Sequence, residues 1–175
     1  MPARLREDEA NRPAGAVGIC GVAELLPSCG IAAINERNQI AVVRQRRYAN
    51  DGYSLEIPTG GLKQGETPLA AAKRELLAET GLAARDWSTL GTIDTSNGTT
   101  EVAHLFLARN LTARPRVPRG DGQLELRWMP FADAVLAVMN GEIAESASVA
   151  AILRRNFWCG KSSGTDIGGL RAFSA

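Results

Sequence analysis

Residues 60–82 (GGLKQGETPLAAAKRELLAETGL) constrain the fold of this chain more than any other segment, because they predict a helix with both ends marked. Thr67 is a favoured N-cap residue, and Pro68 suits the first helical position. Nothing between residues 69 and 80 interrupts a helix, and Gly81 is a natural residue for its C-terminal end. The segment therefore predicts a helix that follows a glycine-rich loop.

Glu75 and Glu79 lie four residues apart in this predicted helix, so both carboxylates share one face. Like charges at this spacing repel, and a divalent cation between them would reverse the sign of the interaction. The loop 58–61 can bring a backbone carbonyl close to a ligand, and Mg²⁺ prefers oxygen ligands. The pattern indicates either a metal site or a solvated helix face whose acids are neutralised by Lys73 and Arg74.

The spacing of charged residues and glycines in this segment is more specific than the helix alone. The matching positions are Gly60, Glu66, Arg74, Glu75, Leu76, Glu79, Gly81 and Leu82. Their order resembles the Nudix box, G-x5-E-x7-R-E-U-x-E-E-x-G-U, in which U is a bulky aliphatic residue. The chain departs from this pattern at Ala78, where the family has the first Glu of its pair.

Two further segments resemble the ADP-ribose pyrophosphatase branch of the Nudix family. RQRRYANDGYSLEIPTGG occupies residues 44–61, directly before and into the box, and AVMNGEIAESASVAAI occupies residues 137–152. The looser resemblance covers about residues 28–157. It implies a Nudix pyrophosphohydrolase that uses a metal ion to hydrolyse a nucleoside diphosphate linked to another moiety, such as ADP-ribose or a related nucleotide sugar. The products would be a nucleoside monophosphate and a second phosphorylated compound.

The resemblance also implies roles for the box residues. Mg²⁺ or Mn²⁺ would be held by Glu75, Glu79 and the backbone carbonyl of Thr59. Arg74 would orient the glutamates, and Glu66 would brace the loop against the helix. Because Ala78 removes one carboxylate, we expect fewer metal ions or weaker metal affinity, with activity retained.

Several candidate substrate-binding residues precede the box. Arg44 and Arg47 follow the apolar run 41–43. They are either solvated or clamp a phosphate or adenine, since guanidinium binds phosphate bidentately and stacks on aromatic rings. Tyr48 and Tyr53 flank a turn and could offer a stacking face. The resemblance aligns Arg47 with a substrate-binding arginine and Glu56 with an acid near the diphosphate.

The general base is less well marked by the sequence. The basic, proline- and glycine-rich loop 113–122 is either a mobile connection or a loop that covers the site. Asp121 and Glu125 are the carboxylates in this region, and Glu101 is a further candidate. The loop has no acid-rich run of the kind from which the family often takes its base.

Two alternatives remain open. One keeps the hydrolysis but changes the substrate to a nucleoside triphosphate or a dinucleoside polyphosphate, because a proline often found downstream of the box in the branch is missing around 96–98. The other is a catalytically silent Nudix-like module that binds a nucleotide to regulate another protein, which the loss of a carboxylate at Ala78 favours.

The order of predicted elements indicates an α/β protein, and the resemblance implies a Nudix-type three-layer α/β/α sandwich with a mixed β-sheet. We expect a flexible N-terminal arm over 1–16, a Nudix domain over 17–158 and a loose C-terminal tail over 159–175. Because few residues precede the first clearly predicted strand, any N-terminal sheet region through which the chain could form a homodimer must be short or absent. The predicted strands are 29–34 and 39–46, paired as a hairpin, then 53–57, 90–94, 101–108 and 124–129, and the later helices are 131–139 and 144–157.

Composition and net charge argue against several classes of protein, among them nucleic-acid-binding and membrane-spanning proteins. A net charge of +1 gives no basic surplus for nucleic-acid binding, and no apolar run is long enough for a membrane helix. One histidine, His104, excludes a histidine-cluster metal site. Three cysteines without CxxC spacing favour free thiols, and hence the cytoplasm, over disulfides or zinc. The expected partner is a small nucleotide diphosphate.

Overall fold

The computed structural model describes residues 4–11, 15, 17–48, 51–115 and 124–161. Its elements follow the chain in a strand-rich order interrupted by one helix and closed by two. They are β1 (Arg4–Asn11), β2 (Val17–Glu24), β3 (Ser28–Ala33), β4 (Gln39–Arg47), β5 (Gly52–Glu56), β6 (Thr59–Gly61), α1 (Pro68–Thr80), β7 (Leu82–Asp94), β8 (Val102–Ala113), β9 (Glu125–Pro130), α2 (Phe131–Met139) and α3 (Ser146–Lys161).

Three sheets are formed by these strands. The central sheet has the order β6-β3-β8-β7 and is mixed, because β3 and β8 run parallel while the other neighbours are antiparallel. A second, antiparallel sheet has the order β5-β4-β9, and β1 pairs with β2 alone. The predicted mixed sheet is therefore confirmed, with a second sheet beside it.

The helices cover both faces of the central sheet. Successive residues of β3 enter different core clusters: Ala32 packs with residues of α2 and α3, whereas Ile31 and Ala33 pack with residues of α1. This alternation follows from the two-residue period of a strand, and it explains why β3 is apolar on both faces. The predicted α/β/α sandwich is confirmed.

The hairpin predicted from residues 29–34 and 39–46 does not form. β3 pairs with β6 and β8, β4 pairs with β5 and β9, and a single bridge joins Ile34 to Ile40. The Asn35 side chain accepts the N–H groups of Arg37 and Gln39, at 3.0 and 2.9 Å. This turn directs β4 out of the central sheet and into the second one.

The N-terminal residues differ most from the prediction. Part of the expected flexible arm, Arg4–Asn11, is strand β1, paired antiparallel with Val17–Glu24 along its whole length. Its polar residues pair across and along the hairpin: Arg6 lies 3.0 Å from Glu24 and 3.0 Å from Asp8. Strand β1 is mostly polar and β2 consists mostly of small and apolar residues, so neither shows the alternation of apolar and polar residues that predicts a half-buried strand, which explains the difference.

Two further element boundaries differ from the prediction. Strand β7 begins at Leu82, well before the predicted residue 90, and α3 continues to Lys161, past the predicted end at 157. The rest of the predicted tail, 162–175, lies outside the described residues. Within the described chain, no helix is both long and apolar enough to cross a membrane.

Candidate active site

Helix α1 forms as predicted. The Thr67 hydroxyl accepts the N–H of Ala70 at 3.3 Å, Pro68 begins the helix, and Gly81 ends it in the left-handed conformation with φ of 71°. The helix buries Ala72 and Leu76 in the core, as an amphipathic helix should. It also buries two acids of the box, because Glu75 and Glu79 are only 3% and 6% exposed.

This burial bears on the two readings of the acidic pair. A solvated helix face would leave both carboxylates in water, so that part of the second reading is wrong. The neutralisation of an acid by Arg74, which the same reading predicted, does occur, since Arg74 donates a hydrogen bond to Glu75. A buried carboxylate is costly unless it is paired, hydrogen-bonded or bound to a cation. The position of Glu75 and Glu79 therefore requires specific partners: Arg74 on the same helix bonds Glu75, and the backbone N–H of Thr59 in the loop before the helix bonds Glu79.

Gly60 lies directly against Glu75. A β-carbon built on Gly60 would lie 2.5 Å from Oε1 of Glu75 and closer still to its Cδ, so no larger residue fits without movement. Beneath this corner, the thiol of buried Cys29 donates to the Gly60 carbonyl at 3.4 Å. Burial, followed by the charge of Glu75, raises the pKa of Cys29 to about 12, which makes this thiol unreactive.

Thr59 faces Glu79 with its backbone. Its N–H donates to Oε2 of Glu79 at 3.2 Å. The N–H of Ile31 donates to the carbonyl of Pro58, and Thr59 stands opposite Gly30. In an antiparallel pair, opposed residues alternate between those that exchange hydrogen bonds and those that do not. Because the neighbouring residues Ile31 and Pro58 form the bond, Gly30 and Thr59 are a pair without one. The carbonyl of Thr59, like its N–H, is therefore directed away from β3.

Arg74 joins the loop to the helix. It donates to both oxygens of Glu66, from Nε at 2.8 Å and from Nη2 at 2.6 Å, to the Gly61 carbonyl at 3.1 Å, and through Nη1 to Glu75. The hydrogen bonds from Arg74, with a further one from the N–H of Lys63, lower the pKa of Glu66 to about 2. The same bond to Glu66 raises the pKa of Arg74 further.

A third buried acid, Glu56, lies at the end of β5 and pairs with a candidate substrate-binding arginine. Glu56, which is 1% exposed, accepts two hydrogen bonds from the Arg47 guanidinium and one from Nε2 of Gln45 at 2.8 Å. Burial alone would raise the pKa of Glu56, but hydrogen bonds from Arg47, Ser54 and Gln45 outweigh it and lower the pKa. Arg47 is thereby fixed in one orientation.

The candidate stacking residues Arg44, Tyr53 and Tyr48 differ in their surroundings. Arg44 lies over the ring of Tyr53, with its guanidinium carbon 3.7 Å from the ring centroid. Tyr48 is 99% exposed. The structure thus forms a stack from Arg44 and Tyr53 and leaves Tyr48 projecting into solvent.

The structure describes two of the three candidate general bases, Glu125 and Glu101. Asp121 lies outside the described residues. Glu125 is exposed on β9, where both its oxygens accept hydrogen bonds from Arg127 at 3.0 Å. Glu101 precedes β8 and accepts the Thr95 hydroxyl at 3.0 Å. The identity of the base stays a prediction.

Sequence reasoning missed Glu145 and Ser148. Glu145 directly precedes α3 and Ser148 lies in its first turn, where the Ser148 hydroxyl accepts the N–H of Ile57 at 3.0 Å and donates to Glu145 at 2.6 Å. The only sequence signal was a polar residue before a helix, which is ordinary for an N-cap. Their connection to the loop before the box depends on packing between distant segments.

The donor set suits a hard cation. Among the described residues there is no group of three or more His, Cys, Asp or Glu side chains that could hold a metal ion. Two buried carboxylates and a backbone carbonyl directed toward the same side are nonetheless oxygen donors of the kind that Mg²⁺ and Mn²⁺ prefer. Water would have to supply the remaining ligands, as it commonly does for Mg²⁺.

Comparison with known proteins identifies the class. The family model described as "NUDIX domain" matches residues 24–149, which include α1, the loop before it and Glu145. The chain therefore belongs to the NUDIX domain family, and the family and enzyme class predicted from the box are confirmed. Members of this family generally need a divalent metal ion.

Three individual relatives are similar to most of this chain. An "ADP-ribose pyrophosphatase" of Mycobacterium tuberculosis is 33% identical over 85% of this chain and 74% of its own length. An "ADP-ribose pyrophosphatase" of Bacillus subtilis is 31% identical over 70% of this chain and 68% of its own. A "Methanol dehydrogenase activator" of Bacillus methanolicus is 28% identical over 85% of this chain and 82% of its own.

A solved structure supports the fold. The chain named "ADP compounds hydrolase" superposes with a TM-score of 0.80 at 18% identity, covering 93% of this chain and 88% of that one. At this identity the likeness concerns the fold. It extends beyond the box to nearly the whole chain.

Proposed function

We propose that this protein hydrolyses the diphosphate bond of ADP-ribose or a related nucleotide sugar and releases AMP, or the corresponding nucleoside monophosphate, and a sugar phosphate. The names of the relatives from M. tuberculosis and B. subtilis support this substrate class. The observation that carries the proposal is the burial of Glu75 and Glu79 against the Gly60 corner, where the backbone of Thr59 meets Glu79.

The proposed cofactor is Mg²⁺, with Mn²⁺ as a substitute, held by Glu75, Glu79 and the Thr59 carbonyl. When bound, such a cation supplies Lewis-acid stabilisation of the charge that develops on the diphosphate. Arg74 would hold Glu75 in position through its own fork to Glu66, so that the carboxylate does not have to reorganise when substrate binds. Fewer carboxylates than in the family pattern, because of Ala78, would weaken metal affinity.

Arg47 is the proposed diphosphate contact. Its guanidinium is oriented by buried Glu56, and guanidinium groups bind phosphate oxygens in a planar, bidentate geometry. Arg44, stacked on Tyr53, and exposed Tyr48 are the proposed contacts for the base or sugar. The general base that accepts the proton of the attacking water would be Asp121, Glu125 or Glu101.

The test compares wild type with Glu79→Gln, using ADP-ribose and Mg²⁺ and measuring AMP release. We expect turnover to fall at least about 100-fold, because the variant keeps the shape of the side chain but loses the charge. Glu36→Gln, in the exposed turn before β4, is the matched control and should retain wild-type turnover. Equal turnover in Glu79→Gln and wild type would falsify the metal assignment.

A second candidate function is nucleotide-dependent regulation without turnover. The relative named as an activator and the alanine at position 78 favour it. A panel of ADP-ribose, nucleotide sugars, nucleoside triphosphates and dinucleoside polyphosphates separates the possibilities. Released mononucleotide identifies an enzyme and its substrate, whereas thermal stabilisation by a nucleotide without product identifies a binding module.

We further propose a homodimer and a cytoplasmic location. Leu5 and Ile19 of the β1–β2 hairpin are 82% and 68% exposed, which offers apolar surface to a second copy. Light scattering during gel filtration measures the mass directly. Cys20 and Cys29 are free thiols in the structure, which suits a reducing compartment, and cell fractionation tests this.

A further inference from the structure

Residues 56–59 connect the two halves of the candidate site. At one end, buried Glu56 is bound by Arg47, the proposed diphosphate contact. At the other end, Thr59 donates its N–H to Glu79, a proposed metal ligand. Between them, the Pro58 carbonyl accepts the N–H of Ile31 at 2.9 Å. The geometry of this segment therefore sets the relative position of the substrate side and the metal side.

Ser148 holds the remaining residue of the segment. It is fully buried, and its hydroxyl accepts the N–H of Ile57 at 3.0 Å while donating its single hydrogen to Oε2 of Glu145 at 2.6 Å. The hydroxyl thus has both a donor and an acceptor partner. Removing it would leave the buried Ile57 N–H without this acceptor, which is costly in a protein interior.

Glu145 is itself fixed in place. Its carboxylate accepts the N–H groups of Ala147 at 2.8 Å and Ser148 at 2.7 Å, so it caps α3, whose N-terminus favours a negative charge. Its negative charge also acts on Arg47, the proposed diphosphate contact. The pKa of Arg47 is raised first by its hydrogen bond to Glu56, and Glu145 and Glu79 add to the rise against the effect of burial.

We infer that Ser148 and Glu145 are positioning residues for the reaction: they tie the start of α3 to residues 56–59 and so set the distance between Arg47 and the Glu75–Glu79 pair. This inference rests on the proposed function, because it names residues that act through the proposed substrate and metal contacts. Small displacements of such contacts reduce turnover strongly, which is why supporting hydrogen bonds matter at active sites. Neither residue belongs to the box or touches it in sequence.

The experiment uses the full chain with Ser148→Ala and Glu145→Gln. Binding of ADP-ribose is measured by calorimetry in the presence of EDTA, where no turnover occurs. The kcat, the KM and the half-saturating Mg²⁺ concentration are measured separately. For Ser148→Ala we expect Kd, KM and the half-saturating Mg²⁺ concentration each to rise about tenfold, which corresponds to one lost buried hydrogen bond.

Glu145→Gln keeps the volume and one acceptor of the cap but removes the charge. We expect its Kd for ADP-ribose to rise about threefold, because the electrostatic contribution to Arg47 is lost, and its Tm to fall, because the amide NH2 group cannot accept the hydrogen bonds that one carboxylate oxygen accepts in the cap. Glu145→Asp, which keeps the charge and is a favoured N-cap residue, should restore most of the affinity. These variants carry the test if Ser148→Ala fails to fold.

Asn35→Ala is the matched control, because it also removes side-chain hydrogen bonds to two backbone N–H groups, in the turn between β3 and β4. It should lower Tm and leave Kd, KM and the Mg²⁺ requirement unchanged. If it shifts Kd as Ser148→Ala does, the effect is general destabilisation and the inference fails. If Ser148→Ala and Glu145→Gln both bind ADP-ribose with the wild-type Kd, the inference is overturned and the proposed function is unaffected. If the wild-type protein does not bind ADP-ribose, the proposed function itself is overturned.

Discussion

Gly60 and Glu75 occupy adjoining space, so that the glycine is required by the position of the acid. The β-carbon of any other residue at position 60 would overlap the Glu75 carboxylate. Gly60 does not have a positive φ, so the reason for glycine here is close approach and not an unusual backbone conformation. The loop and the helix of the box are therefore fitted to each other through one missing side chain.

We expect Gly60→Ala to reduce turnover about 100-fold, because Glu75 would have to move by about an ångström. Overpacking of this kind also destabilises a protein by about 1–3 kcal/mol. Steady-state kinetics with ADP-ribose and urea unfolding measure the two effects. Gly21→Ala, in strand β2, meets nothing within 4 Å and should change neither quantity. A Gly60→Ala variant with normal kinetics would mean that the Glu75 carboxylate does not need its observed position.

Stability should depend on Glu66 at acid pH. Because hydrogen bonds from Arg74 lower the pKa of Glu66 from 4.5 to about 2 in the folded protein, the unfolded chain binds this proton first as the pH falls. The stabilisation from Glu66 is therefore complete above about pH 5 and is lost between about pH 4.5 and pH 2. Urea midpoints of wild type and Glu66→Gln should converge over this range.

The control for this pH effect is Arg74→Met, which removes the donor that lowers the pKa. In that background, replacing Glu66 by Gln should change the acid dependence much less. If the gap between wild type and Glu66→Gln stays constant down to about pH 2, the fork between Arg74 and Glu66 does not stabilise the fold as described.

Restoring the missing carboxylate should strengthen metal binding. Ala78 is partly buried and immediately precedes Glu79 on α1. We expect Ala78→Glu to lower the half-saturating Mg²⁺ concentration about tenfold, since affinity for such cations rises with the number of charged ligands. Ala78→Gln has the same size without the charge and should show no such gain. Identical behaviour of the two variants would exclude position 78 from the metal environment.

The two tyrosines before the box should differ in importance. Tyr53 is stacked under the Arg44 guanidinium, whereas Tyr48 projects into solvent. We expect Tyr53→Ala to raise the KM for ADP-ribose about fivefold, because the stack orients a cation that would face the nucleotide. Tyr48→Ala should have the smaller effect. A larger effect at Tyr48 would show that the exposed ring closes over the substrate.

The sequence of α1 was sufficient to predict this helix and its acidic face. Thr67, Pro68 and Gly81 act within one helical turn of the positions they mark, and Glu75 and Glu79 are neighbours on any helix. The spacing of the box likewise indicated the family, which the comparisons confirm. Interactions of such short range are determined by the local sequence.

Strand pairing and the surroundings of the acids were decided by the tertiary structure. The β1–β2 hairpin carries no apolar alternation, and β3 pairs with β6 and β8 in place of its nearest neighbour β4. The bond from Ile57 to Ser148 joins residues far apart in the chain. Local sequence determines which conformation a segment favours, but which segments meet depends on how the whole chain buries its apolar surface, and that is a property of the complete fold.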